Sequence, residues 1–287
     1  MSPIGIVSDS TAGLAPEYIH QHRIRIVPLY IEMEGKTYRD GIDITPEEFY
    51  ARLPHCDPLP VTSQPSVGDF LQVYQELAQE GVEGIISVHL SAEISGTINS
   101  AHLAAEKLGD PPVRVVDTRC GAGGHLLTIE AVVQALERGA TLDEAVAAAQ
   151  AVIEGQKTLF VVDTLEYLYK GGRIGGAAAF LGSLLQFKPL LYFKDGRIDG
   201  LERVRTSSRA LRRMVEIMRD WLGDEPIQAI VMAAACPDKA QTLRELLPQY
   251  LQIVKLRTTA ISPVLGAHTG NGTLGLCCCP ISICQPE

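Results

Sequence analysis

Four short polar segments lie far apart in this chain, and each follows an apolar, strand-like run. They are Thr62-Ser63-Gln64-Pro65, Ser91-Ala92-Glu93-Ile94-Ser95-Gly96-Thr97, Arg205-Thr206 and His268-Thr269-Gly270. Together they offer hydroxyl, imidazole and guanidinium groups with a single carboxylate, Glu93. Donors of that kind recognise an anion. The apolar chain around them predicts an anion with an apolar body.

Each group also has a plainer use. Ser10 and Thr11, after the first strand-like run, read equally well as helix caps. At 94–97 the balance differs, because Gly96 lets a ligand approach backbone that opens a helix, an arrangement suited to anions. Ser66 is the expected cap of the next helix, which leaves Thr62, Ser63 and Gln64 without a capping task. The glycines of 270–275 match G-x-G-x-x-G, but a strand follows them and too little chain remains for the acid of a dinucleotide site. They predict a glycine-rich turn that carries His268 and Thr269 to a site. Lys170-Gly171-Gly172-Arg173 is no phosphate-binding loop, since Lys and Ser or Thr do not follow its second glycine. Beyond it, Phe180, Leu181, Leu184, Leu185 and Phe187 predict an apolar helix surface, either ordinary core or one wall of an alkyl tunnel. The sequence contains no H-E-x-x-H, G-x-S-x-G or S-x-x-K, and no Cys/His grouping with metal spacing. Neither a catalytic residue nor a metal site is therefore predicted from motifs.

The elements that must position these groups are legible from periodicity. Strand-like runs at 4–7, 24–31, 84–89 and 113–117 alternate with helical patterns opened by Thr45-Pro46-Glu47-Glu48, Ser66 to Asp69, and Thr141 to Glu144. These are capping boxes, and the alternation predicts a parallel sheet covered by helices. Glu34-Gly35-Lys36 marks a small hairpin insert near 28–41. From about 155 the pattern changes to strands at 158–163, 190–193, 197–199, 227–233, 251–256 and 274–283, with helices near 208–221 and 238–247. Asp195-Gly196 is a hairpin turn. The expected fold is α/β in two domains: an N-terminal parallel-sheet, three-layer domain (1–157) and a C-terminal mixed-sheet domain (158–287).

Composition limits the partners. The 287 residues are 46% hydrophobic and 21% charged, enough for substantial cores. A formal charge of −9 argues against a nucleic-acid partner, although Arg203, Arg205, Arg209, Arg212 and Arg213 make a local basic run. No basic leader or apolar run of ~18 residues is seen, so a cytoplasmic protein without a membrane segment is expected. The seven cysteines lack disulfide spacing. Cys277, Cys278 and Cys279 are read as small buried strand residues, with a metal or redox role as the alternative.

Taken together, the segments resemble the bacterial DegV family. The resemblance runs collinearly through Val7-Ser8-Asp9-Ser10-Thr11, Thr62-Ser63-Gln64-Pro65-Ser66, Leu90-Ser91 with Ile94-Ser95-Gly96-Thr97, and Lys170-Gly171-Gly172-Arg173-Ile174. It continues in Lys188-Pro189, Asp195-Gly196, Val204-Arg205-Thr206 and Ala267-His268-Thr269-Gly270. It implies a long-chain fatty acid, C16–C18 in length, held in a buried tunnel between the domains. It also implies a non-catalytic subunit that presents the acyl carboxylate to a separate kinase. By motif position Thr62 and Ser95 would bind the carboxylate and His268 would orient them. Arg205 would add charge near the head group, supported by Gly96, Thr97 and Ser63. Phe180, Leu181, Leu184 and Leu185 would line the tunnel. The pattern departs at Ala92-Glu93, which sets a negative charge near the mouth. Burying ~15 methylenes at ~0.8 kcal/mol each supplies roughly 12 kcal/mol before ordering costs. The competing readings are a hydrolase or transferase with Ser95 as nucleophile and His268 as base, and a lipid-sensing regulator without a kinase.

Overall fold

The computed structural model describes residues 3–183 and 187–284. Among these residues the strands form three sheets. The first is parallel, in the order β2 (Arg25–Val27), β1 (Ile4–Asp9), β6 (Gly84–His89), β7 (Val113–Asp117). One of its faces is covered by α3 (Val67–Gln79) and α4 (Thr97–Leu108), which pack Phe70, Tyr74, Leu77, Ala101 and Ala104 onto Val7 and Ile85. The other face carries α5 (Gly123–Glu137) and α6 (Leu142–Gly155), with Ile129, Val132, Ala145 and Ala149 against Ile6, Ile86 and Val88. Three layers result, helix on sheet on helix.

Local chemistry sets the helix starts. Thr45, Ser66 and Thr141 each complete a capping box, with Glu48, Asp69 and Glu144 as reciprocal partners, at the starts of α2 (Pro46–Arg52), α3 and α6. The run at 24–31 is not one strand. Pro28 lacks an N–H donor and interrupts it, so β2 stays in the parallel sheet while β3 (Tyr30–Met33) enters a second, antiparallel sheet. There β3 lies between β4 (Lys36–Arg39) and β5 (Val61–Ser63). Glu34 and Gly35, both at positive φ, close the β3–β4 hairpin.

The third sheet is mixed and six-stranded. Its order is β10 (Arg197–Val204), β9 (Lys188–Lys194), β8 (Lys157–Val161), β13 (Leu274–Pro280), β11 (Ile227–Ala233), β12 (Ile253–Ala260). Only the β11–β12 pair is parallel. One face packs against α8 (Ser207–Leu222) and α9 (Pro237–Leu246). The opposite face joins the first half of the chain in a shared core, where Ile230, Met232, Cys277 and Cys279 meet Ile31, Phe49, Leu126 and Leu127.

The three consecutive cysteines follow the pleat. Cys277 and Cys279 face that shared core and Cys278 faces α8, so the thiols do not converge. The last strand is shorter than the run at 274–283, because a turn of helix, α11 (Ile281–Cys284), follows it. The segment Gly175–Ser183 is a succession of 3-10 turns and not the expected α-helix. Of the apolar positions read there, Leu184 and Leu185 lie outside the described residues.

Candidate functional site

A cavity lies at the shared core, lined by residues from both halves of the chain. Its polar lining is Thr62, Ser63 and Gln64 from β5 and the turn after it, Ser95 before α4, Thr158 on β8, Arg173, and His268, Thr269 and Thr273. Leu29, Leu90, Ile94, Phe160, Phe193, Ile198 and Met232 are among its apolar walls. Among the described lining residues there is no Asp or Glu.

His268 does not sit on a glycine-rich turn. Ser262 caps α10 (Pro263–Thr269), Pro263 takes its first position, and His268 falls in its last turn. Gly270 and Gly272, both at positive φ, then turn the chain into β13. The imidazole Nε2 lies 2.7 Å from Thr62 Oγ1. Nδ1 is buried without a hydrogen-bond partner and abuts Gly171, where any Cβ would collide with it. Burial, and then the nearby Arg173 charge, lower the His268 pKa to about 4. The ring is therefore neutral near pH 7. With its proton on Nε2 it donates to Thr62, which leaves the Thr62 O–H free to donate onward into the cavity. That tautomer also leaves Nδ1 as a bare acceptor and not as an unmet donor.

Ser95 Oγ lies 2.9 Å from Thr97 Oγ1 and accepts from Thr97 N at 3.3 Å. Gly96 keeps this turn close to Gln64, whose side-chain nitrogen stands 3.0 Å from where a Cβ would be. Arg173 is anchored by its Nε donating to Ile94 O at 3.2 Å and an Nη donating to Gly171 O at 2.7 Å. Its guanidinium thus lies between the Ser95 turn and His268. A hydroxyl pair, a neutral imidazole relay and one fixed cation converge at one end of an apolar cavity. Such a set can hold a carboxylate that would otherwise be too costly to bury.

The structure brings Thr62, Ser63, Ser95 and His268 together on the cavity, with Gly96 and Thr97 shaping the Ser95 turn. Arg205 stands exposed between β10 and α8, outside the cavity lining. Phe180 and Leu181 belong to a satellite core behind the wall, with Phe160, Leu191 and Ile198. The Arg203 guanidinium covers the Phe180 ring at 5.4 Å from its centroid. Glu93 is neutralised by Arg197, whose Nε donates to Glu93 Oε2 at 2.5 Å. Motif reading does not single out Arg173, which lines the cavity; its place between two glycine pairs is the signal for it. Ser10 and Thr11 serve the fold: Thr11 N donates to Asp9 Oδ1, and Ser10 Oγ donates to Asp40 Oδ2. Among the described residues, Ser95 and His268 are not hydrogen-bonded to each other.

The fold is that of a known class. The DegV family model (uncharacterised protein, DegV family) matches residues 3–280, and the chain belongs to that family. A DegV domain-containing protein of Streptomyces coelicolor is 40% identical over 274 residues, 95% of this chain and 97% of its own. One from Listeria innocua is 36% identical over 276 residues, 95% of this chain and 97% of its own. Among solved structures, a fatty-acid-binding DegV family protein from Thermus thermophilus superposes with a TM-score of 0.91 at 35% identity, covering 96% of this chain and 99% of its own. DegV of Bacillus subtilis, a fatty acid binding protein, gives 0.88 at 31% identity, with 96% and 99% covered.

Proposed function

We propose that this protein binds a long-chain fatty acid in a buried tunnel between two α/β domains and presents its carboxylate to a partner kinase, which forms an acyl phosphate. The observation that carries the reading is the cavity itself: apolar along most of its wall, with Thr62, Ser95, His268 and Arg173 gathered at one end and no carboxylate among its described lining residues. The fatty acids bound by relatives of the same fold support it. In this reading Thr62 and Ser95 donate to the carboxylate, His268 fixes the Thr62 hydroxyl, and Arg173 supplies the nearest positive charge. Arg205, exposed on the surface, is available to the partner. All seven cysteines are unpaired and buried, which fits a reducing, cytoplasmic setting. No helix among the described residues is long and apolar enough to cross a membrane.

Hydrolysis or transfer through Ser95 requires a base on its hydroxyl, and Ser95 instead faces Thr97 while the His268 Nε2 is engaged by Thr62. The reading is tested by extracting the purified protein with organic solvent and weighing the released material against the native mass. One equivalent of a C16 or C18 fatty acid is expected. An empty protein that takes up neither palmitate nor oleate overturns the reading. Supplying a family kinase subunit and ATP, then trapping acyl phosphate as the hydroxamate, separates kinase delivery from a purely lipid-sensing role.

A further inference from the structure

Leading away from the donor end, Thr273 and then Gly275 of β13 line the cavity. Thr273 is closest to that end, its Oγ1 donating to Thr269 O at 2.8 Å and to Gly270 O at 2.9 Å. Alternation then puts Gly275 and Cys277 on the same face. Gly275 pairs across to Phe160 on β8 and Met232 on β11, and Cys277 pairs to Thr158 and Ile230. At this rung the lining ends on Thr158, which belongs to a polar knot: Gln156 Oε1 accepts from Thr158 Oγ1 at 2.8 Å and from Cys277 Sγ at 3.2 Å.

Met232 crosses this stretch. A Cβ on Gly275 would lie 2.6 Å from Met232 Cε, so the side chain fills the space that Gly275 leaves open. A Cβ on Gly123, at the start of α5, would lie 2.8 Å from Met232 Sδ, and Gly123 N donates to that sulfur at 2.9 Å. The thioether is therefore threaded between two glycines, bridging the sheet to the first turn of α5, with Ala122 and Gly121 beside it on the cavity. An unbranched side chain with several rotatable bonds can withdraw or advance within such a slot. A β-branched or aromatic residue would fix the boundary.

We propose that Met232 is the end-stop of the acyl site and sets the chain length it accepts. This inference rests on the fatty-acid reading above. The Met232 sulfur is engaged by Gly123 N and not by the donor cluster, so it governs tail length while Thr62, Ser95, His268 and Arg173 govern the head group.

The test loads the parent protein, Met232→Ala, Met232→Phe and Met232→Leu with an equimolar mixture of myristate, palmitate, stearate and arachidate, read by native mass spectrometry. Met232→Ala is expected to shift the bound population to chains about two carbons longer, because it leaves a cavity in place of the thioether. Met232→Phe is expected to shift it to shorter chains, and Met232→Leu, nearly volume-conserving, to keep the parent profile. The same length profile in all four proteins overturns the end-stop. If the parent takes up none of the acids, it is the fatty-acid reading that fails, and the end-stop falls with it. Retention of the parent profile by the Leu variant separates a length effect from a folding defect.

Discussion

At the scale of single residues, two buried titratable groups near the cavity pull in opposite directions with pH. His268 has its pKa lowered to about 4, mainly by burial. Its native state takes up a proton later than the unfolded chain, whose histidine titrates near ~6.5. Stability from this group is present at pH 7 and is lost as the pH falls from about 6.5 towards 4. Asp40, almost fully buried, has its pKa raised to about 7 by burial, a shift that the Ser10 hydrogen bond reduces without cancelling. Its native state keeps a proton that the unfolded chain releases near ~3.9. Stability from Asp40 is therefore present at low pH and is lost as the pH rises through about 7. In their common window the two slopes offset one another. Unfolding free energies from urea titrations at pH 7 and pH 5 are expected to separate them. Asp40→Asn should lose about 1–2 kcal/mol more than the parent on going to pH 5, and His268→Gln about as much less. Variants that track the parent at both pH values would show that neither group carries its shift. Thr62→Val tests the head group more directly. Removing a hydroxyl that hydrogen-bonds a charge is expected to weaken palmitate binding about 10- to 100-fold, by isothermal titration. Unchanged affinity would remove Thr62 from the site.

At the scale of elements, the β9–β10 hairpin forms one wall of the cavity. It contributes Phe193 and Ile198 to the cavity. Its turn is fastened to the first half of the chain by Ser91 Oγ donating to Gly196 O at 2.8 Å, in a buried setting. The Glu93–Arg197 pair and an Arg119–Asp195 pair at 3.3 Å lie outside it, exposed. Exposed pairs contribute little, whereas a lost buried partner strands the Gly196 carbonyl. Ser91→Ala is expected to cost about 1–2 kcal/mol in thermal or urea unfolding and to speed fatty-acid exchange, whereas Arg197→Ser should change stability by less than about 0.5 kcal/mol. Equal effects of the two would mean that the buried bond is not what fastens the hairpin. This turn was legible in advance, since Asp195-Gly196 supplies the two positive-φ residues a tight hairpin needs. The capping boxes at Thr45, Ser66 and Thr141 were legible for the same reason: their chemistry is local. Elements fixed by tertiary context were not. The 3-10 turns at 175–183 follow from close packing against β10, where Gly200 receives the Phe180 ring and Asp199 crowds Gly176. No periodicity in Gly175-Gly176-Ala177-Ala178-Ala179 encodes that. Likewise Met232 and Arg173 reach the cavity only once β11 and the Gly171 turn are placed against the first half, although the hydroxyl and imidazole groups could be picked out by type.

At the scale of the whole molecule, the division read at 157 and 158 meets a core that both sides share. Ile31, Phe49, Leu126 and Leu127 from one side pack with Ile230, Met232, Val264 and Cys277 from the other. Polar ties follow the same seam. Tyr50 Oη donates to Ile261 O at 2.9 Å, Asn271 Nδ2 donates to Tyr50 O at 2.9 Å, and Thr259 Oγ1 donates to Gly13 O at 2.9 Å. Arg257 also pairs with the nearly buried Glu130 across it. Separating the halves would expose a contiguous apolar face and leave several of these groups unmet. The intact chain is therefore expected to melt in one cooperative transition, raised by palmitate because a ligand that binds only the folded state adds RT ln(1 + [L]/Kd), about 2.7 kcal/mol at a hundredfold excess over Kd. A chain ending at residue 157 is expected to bind a hydrophobic dye and to lack a cooperative melt by calorimetry. The cavity lies on the same seam, lined from both sides. A cavity walled by both halves exists only when they are joined, so the cooperativity that makes the halves dependent on each other also keeps the cavity formed. If residues 1–157 alone melted cooperatively, bound no dye and gave a dispersed amide spectrum, the shared core would be an interface between independent domains, and the cavity would open by their separation.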